Sequence, residues 1–140
     1  MDKAKFDDYI TRFNARDDTA FDDYLCPGMK MLNGALRFEG IEGMKDHYMN
    51  KIWPWFEEKL HIPRFISNEK HIAIEMVTYF TAQQPGDTLF GHVVEGERFI
   101  FHGMIMYDLK DDKFSSIQVA YNSFKNIKPD GTEIEMGIPH

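Results

Sequence analysis

The segment from Glu97 to Leu109, ERFIFHGMIMYDL, restricts the possible folds more than any other stretch of the chain. It alternates in the manner of a β-strand, yet apolar residues occupy both phases of the alternation, with His102 and Gly103 in the middle. Successive side chains of a strand point to opposite faces of a sheet, so this strand needs apolar contacts on both sides. We therefore expect a sheet that has one face over an interior and the other face covered as well.

Extended segments dominate the chain from Leu60 onward. Their alternating apolar residues predict long strands joined by turn-rich loops, which we expect to form one antiparallel sheet. The C-terminal tail carries several prolines and glycines and is expected to lie over the surface. The predicted strands cover 60–67, 71–82, 89–109 with a break near 95–96, and 114–125, and the tail covers 128–140.

The N-terminal part of the chain predicts two helices. Phe6, Ile10 and Phe13 recur at helical spacing within 3–15, and Tyr9 stands beside them on the packed side. A second, shorter helix follows and stops at the turn-forming pair Pro27-Gly28.

A hairpin and a third helix are predicted next. The pair Asn33-Gly34 favours a tight turn between two short strands. An apolar stripe after Gly40 predicts a helix that ends near Pro54, because a proline removes a helical hydrogen bond. Helices followed by a run of strands predict an α+β fold.

Composition and charge limit the partners that we expect. A formal net charge of -7 and a pI near 5.3 disfavour nucleic acid and anionic membrane surfaces. Cys26 is the single cysteine, and the N-terminus lacks the pattern of a signal peptide, so a cytoplasmic location is expected. A length of 140 residues predicts one domain, 1–140.

The order of elements resembles the nuclear transport factor two-like superfamily, and within it the SnoaL-like polyketide cyclases and the ketosteroid isomerases. The stretches that carry the resemblance are YITRFNARDDTAF, FEGIEGMKDHY and ERFIFHGMIMYDLKDDKFSSIQVAYNSF, and the likeness covers about residues 5–125. It implies a cone-shaped roll, in which three N-terminal helices pack on a strongly curved antiparallel sheet that encloses an apolar cavity. The resemblance also implies a homodimer through the outer face of the sheet.

The resemblance assigns one phase of the strand around His102 to the cavity. In that register Phe99, Phe101, Gly103 and Ile105 face inward, and His102 faces outward. A β-bulge would reverse the assignment, because side chains alternate with a period of two. The residues that we expect to contact a ligand are Tyr48, Trp53, Phe56, Met76, Thr78, Phe99, Phe101, Val119 and Tyr121. For Trp53 and Phe56, packing in the core is an equal alternative.

Four residues are candidates for catalysis. Tyr9 matches the first-helix tyrosine that, in the isomerases, donates a hydrogen bond to the oxygen of an enolate; the alternative is a core tyrosine bonded to backbone. Asn33 falls where the isomerases carry their catalytic aspartate, and an amide cannot take up a proton; a turn residue is the simpler interpretation. His102 and His47 are the candidates for a general base. The outward direction of His102 favours a packed histidine at a subunit contact instead.

These residues suggest two functions. The first is a cofactor-independent acid–base enzyme, an isomerase, dehydratase or aldol cyclase, acting on a small apolar carbonyl compound such as a polyketide, terpenoid or steroid-like intermediate. The second is a non-catalytic module of the same fold that binds a hydrophobic ligand or a protein partner. The six histidines show no metal-ligand spacing and no phosphate-binding glycine loop is present, so no metal or cofactor is expected.

Overall fold

The computed structural model describes residues 1–137, and its α+β architecture confirms the predicted fold class. The C-terminal end of the predicted tail, 138–140, lies outside the described residues. The N-terminal elements are α1 (Lys3–Asn14), α2 (Thr19–Tyr24), β1 (Leu25–Asn33), β2 (Leu36–Glu39), α3 (Gly40–Lys45) and a π-helix (Asp46–Ile52). They are followed by β3 (Phe56–Ser67), β4 (His71–Ala82), β5 (Gly86–Thr88), β6 (Gly91–Val93), β7 (Arg98–Lys110), β8 (Lys113–Ile127) and β9 (Glu133–Glu135).

The main sheet has the strand order β2-β1-β8-β7-β4-β3, and β9 pairs with the end of β8. The strands predicted from Leu60 onward pair antiparallel, as expected, but the sheet as a whole is mixed and not the antiparallel sheet that the resemblance implied, because β1 runs parallel to β8, with Met31 beside Ile117. These two strands are far apart in the sequence, so no hairpin fixes their relative direction. The sheet is open and is not strongly curled, which differs from the strongly curved cone that the resemblance implied.

Helix α1 lies on one face of the sheet, here called the inner face. Asp2 caps the helix, because its Oδ1 accepts a hydrogen bond of 2.8 Å from the backbone N–H of Lys5. The predicted apolar stripe is buried, and the ring of Phe6 lies 5.3 Å from that of Tyr107 on β7. Burial of each such side chain contributes about 1.5–3 kcal/mol. The stripe therefore holds α1 against the sheet.

The predicted third helix begins as α3 and continues as the π-helix. The backbone N–H of Trp53 donates to the carbonyl oxygen of Tyr48 at 2.7 Å, five residues back, which closes a wider turn than an α-helix has. Pro54 follows directly and has no N–H to continue the helix. Because of this wider turn, the adjacent residues His47 and Tyr48 both face the interior of the protein.

The alternation predicted for the segment around His102 is confirmed over β7. Gly103, Ile105 and Tyr107 are buried on the inner face, and Met104 is 52% exposed on the opposite, outer face. A register shift between His102 and Gly103 brings β8 very close, so that a Cβ on Gly103 would lie 2.3 Å from the backbone oxygen of Ala120. Only glycine fits this position without moving backbone.

The predicted strand 89–109 is divided at the break expected near 95–96, but its first part, β6, does not join the main sheet. Instead, β5 and β6 form a separate two-stranded hairpin. The chain turns at Gly96, whose positive φ of 86° favours glycine, before β7 begins. Glu97 fixes this turn, since its carboxylate accepts hydrogen bonds from the backbone N–H of Val94 and the side chain of Asn126. Within residues 1–137, none of the helices has the length and apolar character that crossing a membrane requires.

Candidate functional site

A cavity of about 130 Å³ lies between the inner face of the sheet, α1 and the π-helix. Apolar side chains from the inner faces of β1, β3, β4, β7 and β8 form most of its wall. The residues that line it are Tyr9, Phe13, Met31, Asn33, Leu36, Met44, His47, Tyr48, Ile52, Glu58, Leu60, Met76, Thr78, Phe80, Leu89, Phe90, Phe101, Ile105, Tyr107, Ile117 and Val119.

Three tyrosines line the cavity, and their hydroxyls lack protein partners. Tyr9 is only 3% exposed, and among residues 1–137 none of the hydroxyls of Tyr9, Tyr48 and Tyr107 has a hydrogen-bond partner. Burial raises the pKa of Tyr9, and the nearby carboxyl of Glu58 raises that pKa further. The pKa values of Tyr48 and Tyr107 are raised well above the usual value, again chiefly by burial. All three phenols therefore stay protonated and free to donate.

Among the described residues, Glu58 is the one carboxylic acid on the cavity wall. It lies on β3 between Phe56 and Leu60, and it is only 5% exposed. Its Oε1 is buried and has no hydrogen-bond partner among the described residues. Burial raises the pKa of Glu58 to about 8, because a charged carboxylate is poorly solvated in an apolar surrounding. At neutral pH the carboxyl is therefore mostly protonated and uncharged.

Two basic residues that lie on or contact β3 beside Glu58 donate to backbone carbonyl oxygens and not to its carboxyl. None of the lining residues is a lysine or arginine. Lys59 points to the other side of β3, where its Nζ donates to the carbonyl oxygen of Asn14 at 2.8 Å. Arg16 donates to the carbonyl oxygen of Phe56 at 3.0 Å. No cation on the wall therefore holds Glu58 in its charged form.

His47 also lines the cavity, and it is uncharged at neutral pH. Burial is the main cause that lowers the pKa of His47 to about 4, and the charge of Lys51 adds to this effect. Its ring stacks on Phe38 with centroids 5.1 Å apart, and its buried Nδ1 has no partner among residues 1–137. A histidine with so low a pKa is a weaker base than Glu58.

The lining residues at the tips of two hairpins are partly or largely exposed. Asn33 is the last residue of β1 and pairs with Leu36 across the first tip. Leu89, at the tip between β5 and β6, is 54% exposed. The mouth of the cavity therefore lies between these tips, and Asn33 stands at its edge.

His102 is not brought to the cavity. It lies on the outer face, where its Nε2 is 2.9 Å from Oε1 of Glu75. Arg64 binds the other oxygen of the same carboxylate. The outward direction expected for His102 is thus what the structure has.

The structure divides the predicted ligand contacts into two groups. Five of them line the cavity: Tyr48, Met76, Thr78, Phe101 and Val119. The other four pack behind the wall: Trp53, Phe56, Phe99 and Tyr121. Trp53 stacks on Phe21 with an interplanar angle of 15°. Tyr121 meets the ring of Phe101 edge-on, at 4.9 Å.

Glu58 is absent from the sequence-predicted site residues because the predicted strand begins at Leu60, two residues after it. With a start at Leu60, Glu58 fell in a connecting segment, whereas β3 begins at Phe56. Phe56, Glu58 and Leu60 are spaced by two, so an earlier start would have put all three on the inner face. The two-residue spacing of Phe56, Glu58 and Leu60 indicates a strand, but the adjacent charged residues Glu57 and Glu58 interrupt the apolar alternation by which a strand is recognised.

Comparison with known proteins adds information on the fold. No protein-family model matches the chain, and no curated protein matches it significantly. Among solved structures, a candidate polyketide cyclase from Xanthomonas campestris pv. campestris is 18% identical, with a TM-score of 0.71 over 85% of this chain and 88% of that one. A candidate polyketide cyclase from Pseudomonas putida is 19% identical, with a TM-score of 0.69 over 84% and 89%.

A structure of different assignment shares the same fold. AclR, a candidate hydroxylase from Streptomyces galilaeus, is 14% identical, with a TM-score of 0.65 over 86% of this chain and 87% of that one. At such identities the likeness shows the architecture alone. The chain therefore has the nuclear transport factor two-like fold of the SnoaL-like polyketide cyclases, as the resemblance in the sequence predicted.

Proposed function

We propose that the protein is a cofactor-independent acid–base enzyme, an isomerase, dehydratase or aldol cyclase, that acts on a small apolar carbonyl compound such as a polyketide, terpenoid or steroid-like intermediate. The observation that carries the proposal is Glu58, a buried carboxyl with a pKa raised to about 8 that faces an apolar cavity without a protein partner. A proton-transfer group works best when its pKa lies near the working pH. Solved structures described as polyketide cyclases share the fold.

Glu58 is the general base in this mechanism. Its carboxylate removes a proton from the carbon next to the substrate carbonyl, and the electron pair of the broken C–H bond moves to the carbonyl oxygen to give an enolate. The proton is then returned from Glu58 to another carbon for isomerisation. In a dehydration the enolate electrons expel a β-hydroxyl as its C–O bond breaks, and Glu58 gives its proton to that oxygen so that water leaves. In an aldol cyclisation the enolate carbon attacks a second carbonyl, whose C=O π electrons move to its oxygen, and that oxygen takes the proton from Glu58.

Tyr9 and Tyr48 stabilise the enolate oxygen. Both hydroxyls line the cavity and have no partner among the described residues, so they can donate to a ligand without breaking a protein hydrogen bond. Such donors are effective in a site that excludes water, because hydrogen bonds to a developing charge are stronger there. Asn33 orients the substrate at the mouth, and neutral His47 contacts it from the π-helix.

A binding module of the same fold would have a different cavity wall. Burying a carboxyl without a partner costs on the order of a few kcal/mol of stability, which an apolar side chain at the same position would not cost. For a ligand without a hydrogen-bond acceptor, Glu58 adds nothing to the binding free energy. A role in proton transfer therefore explains a carboxyl at position 58 better than a role in ligand binding alone.

The test is exchange of α-protons for deuterium, which every reaction that passes through an enolate has in common. Small ketones are incubated with the protein in D₂O and followed by NMR. We expect Glu58→Gln to lower the exchange rate about 10²–10⁴-fold, the usual contribution of a general base. Tyr9→Phe is expected to lower it less, about 10–10²-fold, since Tyr48 remains.

Glu57→Gln is the matched control, because it makes the same chemical change one residue earlier, on the opposite side of β3. Its exchange rate is expected to equal that of the wild type. Exchange that survives Glu58→Gln undiminished would refute the proposed role of Glu58.

A further inference from the structure

We infer that the substrate is uncharged when it binds and that the part of it inside the cavity is a single ring with a hydrogen-bond acceptor. This inference rests on the proposed function of the site and adds to it the charge and the size of the substrate. Among the substrates proposed above, it excludes those that would place several fused rings inside the cavity, such as a steroid-like nucleus, and those that would place a carboxylate or a phosphate there.

The wall of the cavity carries no positive charge that could offset the lost hydration of an anionic ligand. No lysine or arginine lines it, and the pKa of His47, lowered to about 4 by burial, leaves that ring neutral at pH 7. A carboxylate or phosphate that entered would lose its hydration and gain no opposite charge. The penalty is several kcal/mol for one ion, which is enough to abolish useful binding.

The polar groups of the wall are complementary to an acceptor. The hydroxyls of Tyr9, Tyr48 and Tyr107 carry protons, because burial raises their pKa values above the usual range. Glu58, with its pKa raised to about 8, carries a proton over most of the population at pH 7. Each of these four groups can donate a hydrogen bond to an acceptor on the ligand. An ammonium group, in contrast, has no acceptor charge to meet until Glu58 gives up its proton.

The size of the cavity limits the ligand to about one ring. Its volume is about 130 Å³. An engineered cavity of about 150 Å³ in another protein accepts benzene, whereas pockets for larger ligands usually span about 300–1,000 Å³. Any further part of the substrate extends through the mouth, between Asn33 and Leu89.

The cavity wall cannot easily move to admit a larger ligand, because its aromatic rings are packed against one another. Phe90, from the tip of the β5–β6 hairpin, packs between Phe99 and Phe101, with ring centroids at 4.9 and 5.7 Å. Phe101 in turn stacks on Phe124 at 4.1 Å. Displacing one ring disturbs the others, because close-packed side chains transmit such shifts to their neighbours.

The test is a titration calorimetry series at pH 7 with probes that differ in one property. Acetophenone, benzoate and benzylammonium have one ring and nearly the same size but differ in charge. Acetophenone, 2-acetylnaphthalene and 2-acetylanthracene share the carbonyl and differ in the number of rings. We expect acetophenone to bind best in both sets, with the two ions at least about 100-fold weaker.

The ring series is expected to lose about tenfold or more in affinity from one ring to three, although apolar area alone would favour the larger ketone. A three-ring ketone that binds as tightly as acetophenone would overturn the size limit. Benzoate that binds as tightly as acetophenone would overturn the charge limit. Binding of benzylammonium with release of a proton would also overturn it, because Glu58 would then serve as a counter-ion. Failure of all probes to bind would overturn both.

These outcomes are separate from those of the deuterium exchange test, since binding is measured without turnover. The expected binding order together with exchange that does not depend on Glu58 would refute the proposed reaction and leave the ligand class standing. The reverse combination would retain the reaction and refute the ligand class.

Discussion

Glu58 and its neighbour Glu57 show how strongly position decides the chemistry of one side chain. They are adjacent on β3, yet Glu57 is partly exposed and lies 3.6 Å from Nζ of Lys59, whereas Glu58 is buried without a partner. The alternation of the strand alone separates the two environments. The pKa of the buried carboxyl rises to about 8, and the phenol of Tyr9 beside it is kept protonated as well.

The raised pKa of Glu58 has a consequence for stability. In the unfolded chain the carboxyl titrates near its usual pKa of 4.5, and in the folded protein near 8. Between these values the unfolded state has lost a proton that the folded state keeps, so the contribution of Glu58 to stability is fully present below pH 4.5 and is lost as pH rises to 8. The slope is about 1.4 kcal/mol per pH unit.

We therefore expect Glu58→Gln to change how the free energy of unfolding depends on pH. The variant keeps a neutral side chain at every pH, so its stability relative to the wild type should increase steadily from pH 5 to pH 8. Urea unfolding of both proteins at several pH values measures the difference, with Glu57→Gln as the control. A difference between variant and wild type that stays constant over this range would show that Glu58 is not buried as described.

At the scale of elements, the long regular strands and α1 could be predicted from periodicity alone. Strand β4 begins and ends at the predicted residues, and the buried stripe of α1 is the predicted one. The start of β3 at Phe56 could not be predicted in this way, because two adjacent glutamates interrupt the alternation of apolar and polar residues. The break near Gly96 was predicted, but the pairing of Gly91–Val93 with β5 was not, because strands of three residues are too short to show a clear alternation.

The candidate site was harder to predict than the fold. Tyr9, Asn33, His47 and Tyr48 were named from the sequence and lie on the cavity wall. The π-helix that turns His47 and Tyr48 inward leaves no mark in a 3.6-residue period, so the direction of both had to come from the structure. Trp53 and Phe56 have aromatic rings, as ligand-contacting residues often do, but both rings pack in the core behind the cavity wall.

Strand β7 provides a prediction at this scale. A Cβ on Gly103 would lie 2.3 Å from the backbone oxygen of Ala120, and backbone cannot move aside as a flexible side chain can. We expect Gly103→Ala to lower the free energy of unfolding by about 1–3 kcal/mol, as overpacking does elsewhere. Gly28→Ala, where a Cβ meets nothing within 4 Å, is the control and should change stability by less than about 0.5 kcal/mol. Equal effects of the two changes would contradict the close approach of β7 and β8.

At the scale of the whole molecule, the outer face of the sheet remains uncovered in the single chain. Ile66 is 72% exposed there, and Tyr79, Met104 and Met106 are also open to solvent around the pair of Glu75 and His102. An apolar patch of this kind commonly marks an interface. We propose that a second copy of the chain covers it, as the resemblance implied from the sequence.

Sedimentation velocity at micromolar concentration tests the proposed dimer. The wild type is expected to sediment as a dimer, and Met104→Glu as a monomer, because the new charge would be buried without a partner. Met49→Glu, an equally exposed methionine on the π-helix, should leave the dimer intact. A monomeric wild type, or a Met104→Glu variant that still dimerises, would rule out this interface.

The claim that Glu58 transfers the proton is tested most directly by measuring α-proton exchange against pH in the wild type and in Glu58→Gln. With a pKa of about 8, the carboxylate fraction of Glu58 increases about tenfold per pH unit below that value. The exchange rate of the wild type should rise in the same way and level off above pH 8, and the variant should lack this rise. A rate that does not change with pH, or that rises equally in the variant, would contradict the claim.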